Sequence, residues 1–296
     1  MRINFALFPL LFLVSFLHGQ TKLENSLLWK IEDPKQQLQT SYLFGTIHLI
    51  GKKDFVLREE VKSALDKATK VVFEVNLDDM NDMEKMMGIM MKANMKGDTS
   101  LKDLISKDDY TIVNDFFTKE GIPLVMFEKM KPMFMTSLIM GPLSGNEKEE
   151  MVSYELELTK IAKEKSKTLD GLETFDYQLS IFDQIPYSLQ AKLLVDAIKS
   201  SKDSSSTDKQ LMEMIAAYNH QDLEKLEVLM NSDTKELGVY MSLLLDNRNK
   251  NWIPLIQSKM KDSTFFAVGA GHLSGENGVI KLLRKAGLKV TPVVGN

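Results

Sequence analysis

The chain has 296 residues, of which 44% are hydrophobic and 26% charged, ordinary values for a globular protein with a sizeable core. A formal charge of −4 argues against a nucleic-acid binder, which needs a basic face to neutralise phosphates. The absence of cysteine excludes disulfides, thiolate zinc sites, a thiol nucleophile and a lipidated N-terminal Cys. Any metal must be held by His, Asp, Glu, backbone or water.

The chain opens with MRINFALFPLLFLVSFLHGQ, in which Arg2 precedes a run from Phe5 to Leu17 that is apolar but for Ser15, followed by a small residue, Gly19. That run is shorter than the roughly 20 residues of a membrane span, so residues 1–19 read as an export signal. Residues 20–296 then form one exported domain, periplasmic or secreted. Leu17 is large for a position just before a cleavage site, which leaves an uncleaved N-terminal membrane anchor as the alternative.

Next come two apolar runs, SLLWKIE (26–32) and TSYLFGT (40–46), around the polar DPKQQLQ, a pattern that predicts a β-hairpin. DFVLREEVKSALDKAT (54–69) has helical spacing, and KVVFEV (70–75) is a β-branched and aromatic strand. Strand, loop, helix and strand make a βαβ unit with a parallel pair, whose loops beyond the strand carboxyl ends are the usual place for ligands. The stretch from about 78 to 260 is mostly helical, interrupted by a strand near KSKTLDGLE (165–173). Within it, SSKDSSSTDK (200–209) reads as an exposed loop. The C-terminal end repeats the first plan: strand STFFAVG (263–269), loop, helix GVIKLLRKAG (278–287), strand LKVTPVV (288–294). The fold class expected is α/β, with a mixed, mostly parallel central sheet built from both chain ends and a large helical insertion.

The short stretch GTIHLIG (45–51) has a near-copy in GAGHLSG (269–275). Both place Gly, His, Leu and Gly at the same four positions, each after a predicted strand. A lone histidine there is as readily a cap on the strand end as a functional group, but the duplicated frame brings His48 and His272 toward one centre. Glu74 and Glu173 stand at the ends of two further strands, and paired imidazoles with a carboxylate suit Zn, Mn, Fe or Co. Such a set supplies metal ligands and a general base for activating water. Arg248, in LLLDNRNKNW, pairs on the surface with Asp246 or Glu236, or faces the site as an oxyanion donor. Seven methionines crowd MNDMEKMMGIMMKANM (80–95), and Met80, Met83, Met87 and Met90 share one helical stripe. They suit a cap helix over a substrate cleft, plain core packing or, less well, a thioether copper site. PMFMTSLIM (132–140) extends the same surface, and His220 reads as structural.

Taken in order, SYLFGTIH (41–48), KVVFEV, ELELTKIAKEKSKTLDGLETFDYQ, the pair Arg248–Asn249 and FFAVGAGHLSGENGVIKLLRKAGLKVTPV (265–293) resemble the TraB/PrgY/GumN family, which has animal relatives in the Tiki metalloproteases. The resemblance implies a pseudo-symmetric α/β core with its GxxH loops around a divalent-metal site (Mn, Co or Zn). It makes His48 and His272 ligands, Glu74 and Glu173 candidate ligands or bases, and Arg248 a site residue. Where the family often has Asp ahead of the LET motif, this chain has Glu155. The function expected is a metal-dependent hydrolase, a peptidase first, acting on a peptide or protein substrate. A non-catalytic peptide- or partner-binding protein is the alternative, and a small-molecule esterase a weaker third.

Overall fold

The computed structural model describes residues 23–36, 39–140, 150–202, 204–233 and 236–295, so the predicted export signal lies outside the described residues. Among the described residues eight strands form: β1 Leu28–Glu32, β2 Ser41–Thr46, β3 Ile50–Gly51, β4 Lys70–Val75, β5 Met151–Val152, β6 Thr168–Glu173, β7 Thr264–Gly269 and β8 Lys289–Pro292. Six of them make the central sheet in the order β6-β4-β7-β2-β1-β8. β6, β4, β7 and β2 run parallel to their neighbours, whereas β1 pairs antiparallel with both β2 and β8. The sheet is therefore mixed and mostly parallel, drawn from both ends of the chain.

β1 and β2 are the predicted hairpin, with Trp29 opposite Leu43. The first βαβ unit is parallel, but its two strands are not neighbours, because β7 from the other end of the chain lies between β2 and β4. That insertion puts the two GxxH loops on adjacent strands, with Thr46 in register with Gly269. Apolar side chains cover both faces of these strands: Leu43, Val71, Val72, Phe265 and Phe266 are all fully buried.

Two helices depart from the sequence reading. The helix expected over 54–69 forms only at Glu59–Lys67. Phe55 is instead held against the Tyr154 ring, at 4.6 Å between centroids, and Val56 O accepts the Tyr154 hydroxyl at 2.9 Å. The serine-rich run at 200–209 is not a loop at its described residues, since Tyr187–Lys202 and Ser204–Asn219 are helices. Met214, Ile215, Ala217 and Tyr218 pack on the sheet core, and such packing carries a helix through residues of middling propensity.

The helical stretch builds a second core around Leu101, Phe117, Leu124, Met135, Leu194 and Ile198. The helix Pro132–Met140 belongs to it, so Met135 and Ile139 are buried and do not extend a methionine surface. By contrast Met80, Met83, Met87, Met90 and Met91 are exposed on and before the helix Met83–Lys92, and Ile89 alone of that helix is buried. Plain core packing therefore does not account for that stripe. No helix among the described residues is long and apolar enough to cross a membrane.

Candidate active site

β4, β6 and β7 end side by side, so Glu74, Glu173 and Gly269 gather at the carboxyl edge of the parallel strands, where the two histidine loops begin. In register, Val75 lies opposite Glu173 on the neighbouring strand. The helix Asn247–Lys259 lies over this edge with Arg248, Asn249, Trp252 and Ile256 turned inward. A turn of π-helix, Ser242–Asp246, directly precedes it, and the Leu244 carbonyl accepts Arg248 Nη1 at 2.9 Å. Such widened turns recur at functional sites because they re-aim the side chains that follow.

Arg248 is the hub. It bonds Glu173 Oε1 through Nε at 2.9 Å and Nη2 at 2.6 Å, and Nη2 also bonds Glu74 Oε2. Its guanidinium stacks over the Trp252 ring at 4.9 Å. The sequence left Arg248 between surface pairing and the site; it faces the site, while Glu236 pairs with Lys192 and Asp246 accepts from Asn277. Glu173 has both oxygens engaged. Oε1 also takes Gln178 Nε2 at 2.8 Å, and Oε2 takes the Trp252 indole N–H at 2.9 Å.

Glu74 keeps a freer oxygen. Oε1 accepts the Gly269 backbone N–H at 2.8 Å and stands 3.6 Å from His272 Nε2. Burial alone would raise the Glu74 carboxyl. Positive charge on His272 when protonated, on Arg248 and on His48, with the Gly269 N–H, instead holds it well below the usual carboxylate range. Burial drives His272 down to about 3, against the pull of Glu74, so the imidazole is neutral near pH 7.

The two histidines are oriented alike and housed differently. His272 sits in a buried 3-10 turn, Ala270–His272, with its ring 4.5 Å from Trp252. Its Nδ1 donates to Asn249 Oδ1 at 2.6 Å, and Asn249 Nδ2 donates to the Asn277 carbonyl at 2.8 Å, which fixes the amide's direction. Nε2 is then the lone-pair nitrogen, and it faces Glu74 and Arg248 Nη1. His48 is 70% exposed at its side chain, and its Nδ1 bonds Glu155 Oε1 at 2.9 Å. That hydrogen bond raises the imidazole to about 9. Thr46 Oγ1 donates to the same Glu155 oxygen at 2.5 Å, and Ser153 Oγ holds the other at 3.1 Å. The β3–β5 pair brings Glu155 there, because β5 leads straight into the helix Tyr154–Glu164.

Two glycines of the duplicated frame make the approach possible. A Cβ on Gly45 would stand 2.5 Å from Leu273 Cδ1, so the second loop packs directly on the first strand. A Cβ on Gly269 would stand 3.3 Å from Glu74 Oε1 and 3.7 Å from both His48 Nε2 and His272 Cδ2. Three of the candidate side chains thus converge on one point above Gly269. Among the described residues, no three His, Asp or Glu side chains stand in a finished metal-holding arrangement.

A model of the TraB/PrgY/gumN family matches residues 27–292, and so takes in both histidine loops and every residue of this cluster. The chain belongs to the TraB/PrgY/gumN family. Its curated relatives include Metalloprotease TIKI2 of Danio rerio and the Metalloprotease TIKI homolog of Amphimedon queenslandica, each 23% identical over 90% of this chain. Metalloprotease TIKI1 of Danio rerio is 22% identical over the same share. The chain spans about 60% of the length of these relatives. No solved structure matches it.

In this family member all five candidates, His48, Glu74, Glu173, Arg248 and His272, lie at one end of the sheet. Sequence reasoning did not single out Asn249, Gln178 and Trp252 for roles, and it met Glu155 only as a departure from the family pattern. Trp252 was within reach: it is four residues after Arg248 and so shares its helix face. Gln178 and Glu155 carried no such signal, because their contacts with Glu173 and His48 need the tertiary fold.

Proposed function

We propose that this chain is a metal-dependent hydrolase that cleaves peptides outside the cytoplasm, with His48, His272 and Glu74 holding one divalent cation (Mn, Co or Zn). The observation that carries this reading is His272, whose Nδ1 is committed to Asn249 while Nε2 faces Glu74 Oε1 at 3.6 Å. Two nitrogens and a carboxylate oxygen are a suitable donor set once His48, held protonated by Glu155 near pH 7, gives up its proton as the ion binds. Ligands sharing one such ion at about 2.1 Å stand roughly 3–3.5 Å apart. In donor type the residues present fit the ion, and the His272–Glu74 pair stands just wider than that spacing. When bound, the ion polarises the scissile carbonyl and makes water acidic enough to ionise near neutrality.

The chain's own residues supply the rest. Asn249 and Glu155 orient the two imidazoles from behind, as outer partners of metal-bound histidines do. Glu74, held ionised, would take the ligand role through Oε1, the oxygen not bonded to Arg248. Glu173 acts through Arg248, since its oxygens are spent on Arg248, Gln178 and Trp252. Arg248 has its five N–H groups engaged by Glu173, Glu74, the Leu244 carbonyl and His272 Nε2, so it acts on the site through the positive charge it holds beside Glu74. The metalloprotease names of the relatives support peptide cleavage, and the apolar run Phe5 to Leu17 supports export.

Metal content and peptide cleavage of the wild type, His48→Ala and His272→Ala test the assignment. Both variants are expected to lose metal and activity together. Equal metal content in all three proteins, or equal cleavage, would overturn it.

A second reading is favoured by the exposed stripe of Met80, Met83, Met87 and Met90, adaptable apolar surface suited to holding a peptide without cutting it. Tight peptide binding with no turnover in any metal, unaltered in the histidine variants, would select it.

A further inference from the structure

The helices Phe175–Phe182 and Asn247–Lys259 each turn one stripe of residues toward the carboxylates and the next stripe outward. Gln178, Arg248 and Trp252 point in. Tyr177 and Ile181 on the first helix, and Asn247, Lys250 and Asn251 on the second, border a groove of about 340 Å³ between them. Its two walls are tied together by Asn251 Nδ2, which donates to the Tyr177 hydroxyl at 3.0 Å. The groove thus runs along the outer side of the same two helices that hold Glu173 and Arg248.

Its chemistry is specific. The polar groups at its rim are mostly amides: Asn247, Asn251 and Gln184. A side-chain amide carries a donor and an acceptor side by side and so matches a peptide bond, which presents the same two groups. The side chains of Asn247 and Lys250 are exposed and have no hydrogen bond or ion pair among the described residues. Apart from the amides, Lys250 carries the one amino group among the groove residues' side chains. Ile181 and Leu243 add apolar surface. Amides for the backbone, a small apolar floor and one ammonium describe a site for an extended peptide bearing a carboxylate.

We propose that this groove is a substrate-binding subsite in which the amides hold the peptide main chain and Lys250 pairs with a carboxylate of the bound peptide. The peptide rests on the hydrolase reading above; the carboxylate rests on the groove alone. Lys250 is a specificity residue here, remote from the reacting atoms.

The test uses the full chain and capped hexapeptide pools, randomised over uncharged residues at the outer positions and carrying either Glu or Gln at the centre. A further pair of pools with Gln at the centre has a free or an amidated C-terminus, which separates a side-chain carboxylate from a terminal one. Binding is measured by calorimetry on chelator-treated protein, so that no cleavage is needed. One carboxylate pool is expected to bind about tenfold tighter than its neutral counterpart, with Lys250→Gln erasing the difference and Lys250→Arg keeping it. Equal affinity for charged and neutral pools, an undiminished preference in Lys250→Gln, or no binding of any pool would overturn the proposal. Cleavage of the same pools by the metal-loaded protein is followed separately. Binding preference without cleavage sinks the hydrolase reading and leaves the subsite standing; cleavage indifferent to Lys250 does the reverse.

Discussion

Asn249 Oδ1 accepts the Nδ1–H of His272 at 2.6 Å, and that single bond decides which imidazole nitrogen faces Glu74. With Asn249→Ala the ring loses both its tautomer and its orientation, and a buried N–H is left unpaired. Divalent-metal affinity is expected to fall about 10–100-fold, the usual effect of removing an outer partner of a metal-bound histidine. Stability is expected to fall by about 1–3 kcal/mol. Asn249→Asp keeps an acceptor and should restore most of the affinity. Calorimetric titration with Mn, Co and Zn checks this, and wild-type affinity in Asn249→Ala would contradict it.

Gly269 has ordinary backbone angles, φ −54 and ψ 137, so its importance is space and not conformation. A methyl group there would press on Glu74 Oε1 at 3.3 Å and fill the point on which His48 and His272 converge. Gly269→Ala is therefore expected to fold with a melting temperature within a few degrees of wild type and to lose metal binding and cleavage. A thermal melt beside a metal titration separates the two effects. Full metal binding in this variant would show that the ion sits elsewhere.

These two cases mark where the sequence is informative. His48, His272, Glu74 and Glu173 were legible because each stands at a strand end or in the loop just beyond one, and strand ends of one parallel sheet share an edge. Arg248 was legible as a polar break in a helical run, but not its partners, which lie on β4 and β6. The neighbourhood of β7 with β2 was hidden, since the local βαβ pattern suggests β2 beside β4 and only the whole sheet places β7 between them. The unequal surroundings of the two histidines were hidden for the same reason. Identical heptapeptide frames give an exposed His48 on Glu155 and a buried His272 on Asn249 because different helices pack over them. Helix 204–219 was obscured by its serines, whose propensity is overruled by packing further along.

Glu173 is only 5% exposed at its side chain and neutralises Arg248, itself 11% exposed. Glu173→Ala would leave a buried guanidinium with Glu74 as its remaining carboxylate and strip the Trp252 indole N–H of its acceptor. Removing one partner of a buried pair typically costs about 3–5 kcal/mol, and the shared Glu74 contact puts this case at the lower end. Glu173→Gln retains an acceptor oxygen and should cost clearly less. Urea denaturation of the three proteins measures both. If Glu173→Ala were as stable as wild type, the guanidinium would have to be solvated in a way this packing does not allow.

Lys131 is 2% exposed, and its ammonium bonds Leu179 O at 2.8 Å and Asp183 Oδ1 at 2.9 Å. The Tyr187 hydroxyl donates to the same Asp183 oxygen at 2.6 Å. Burial pushes the Asp183 carboxyl up, but the hydrogen bonds from Tyr187, Lys131 and Lys96 outweigh it and hold the group below its usual range. A carboxyl whose folded value lies below its unfolded value, about 3.9, stabilises the protein above that pH. The contribution fades as pH falls through the folded value. Asp183→Asn removes the charge and leaves Lys131 buried without it, at an expected cost of about 3–5 kcal/mol near pH 7. The gap in unfolding free energy between wild type and Asp183→Asn should then narrow on acidification below about pH 4, as the wild type itself loses the carboxylate. Urea melts of both proteins from pH 7 down to about 3 follow that gap. A gap that stays constant across the range would mean that the ion pair contributes nothing, and a gap that widens would reverse the sign of the linkage.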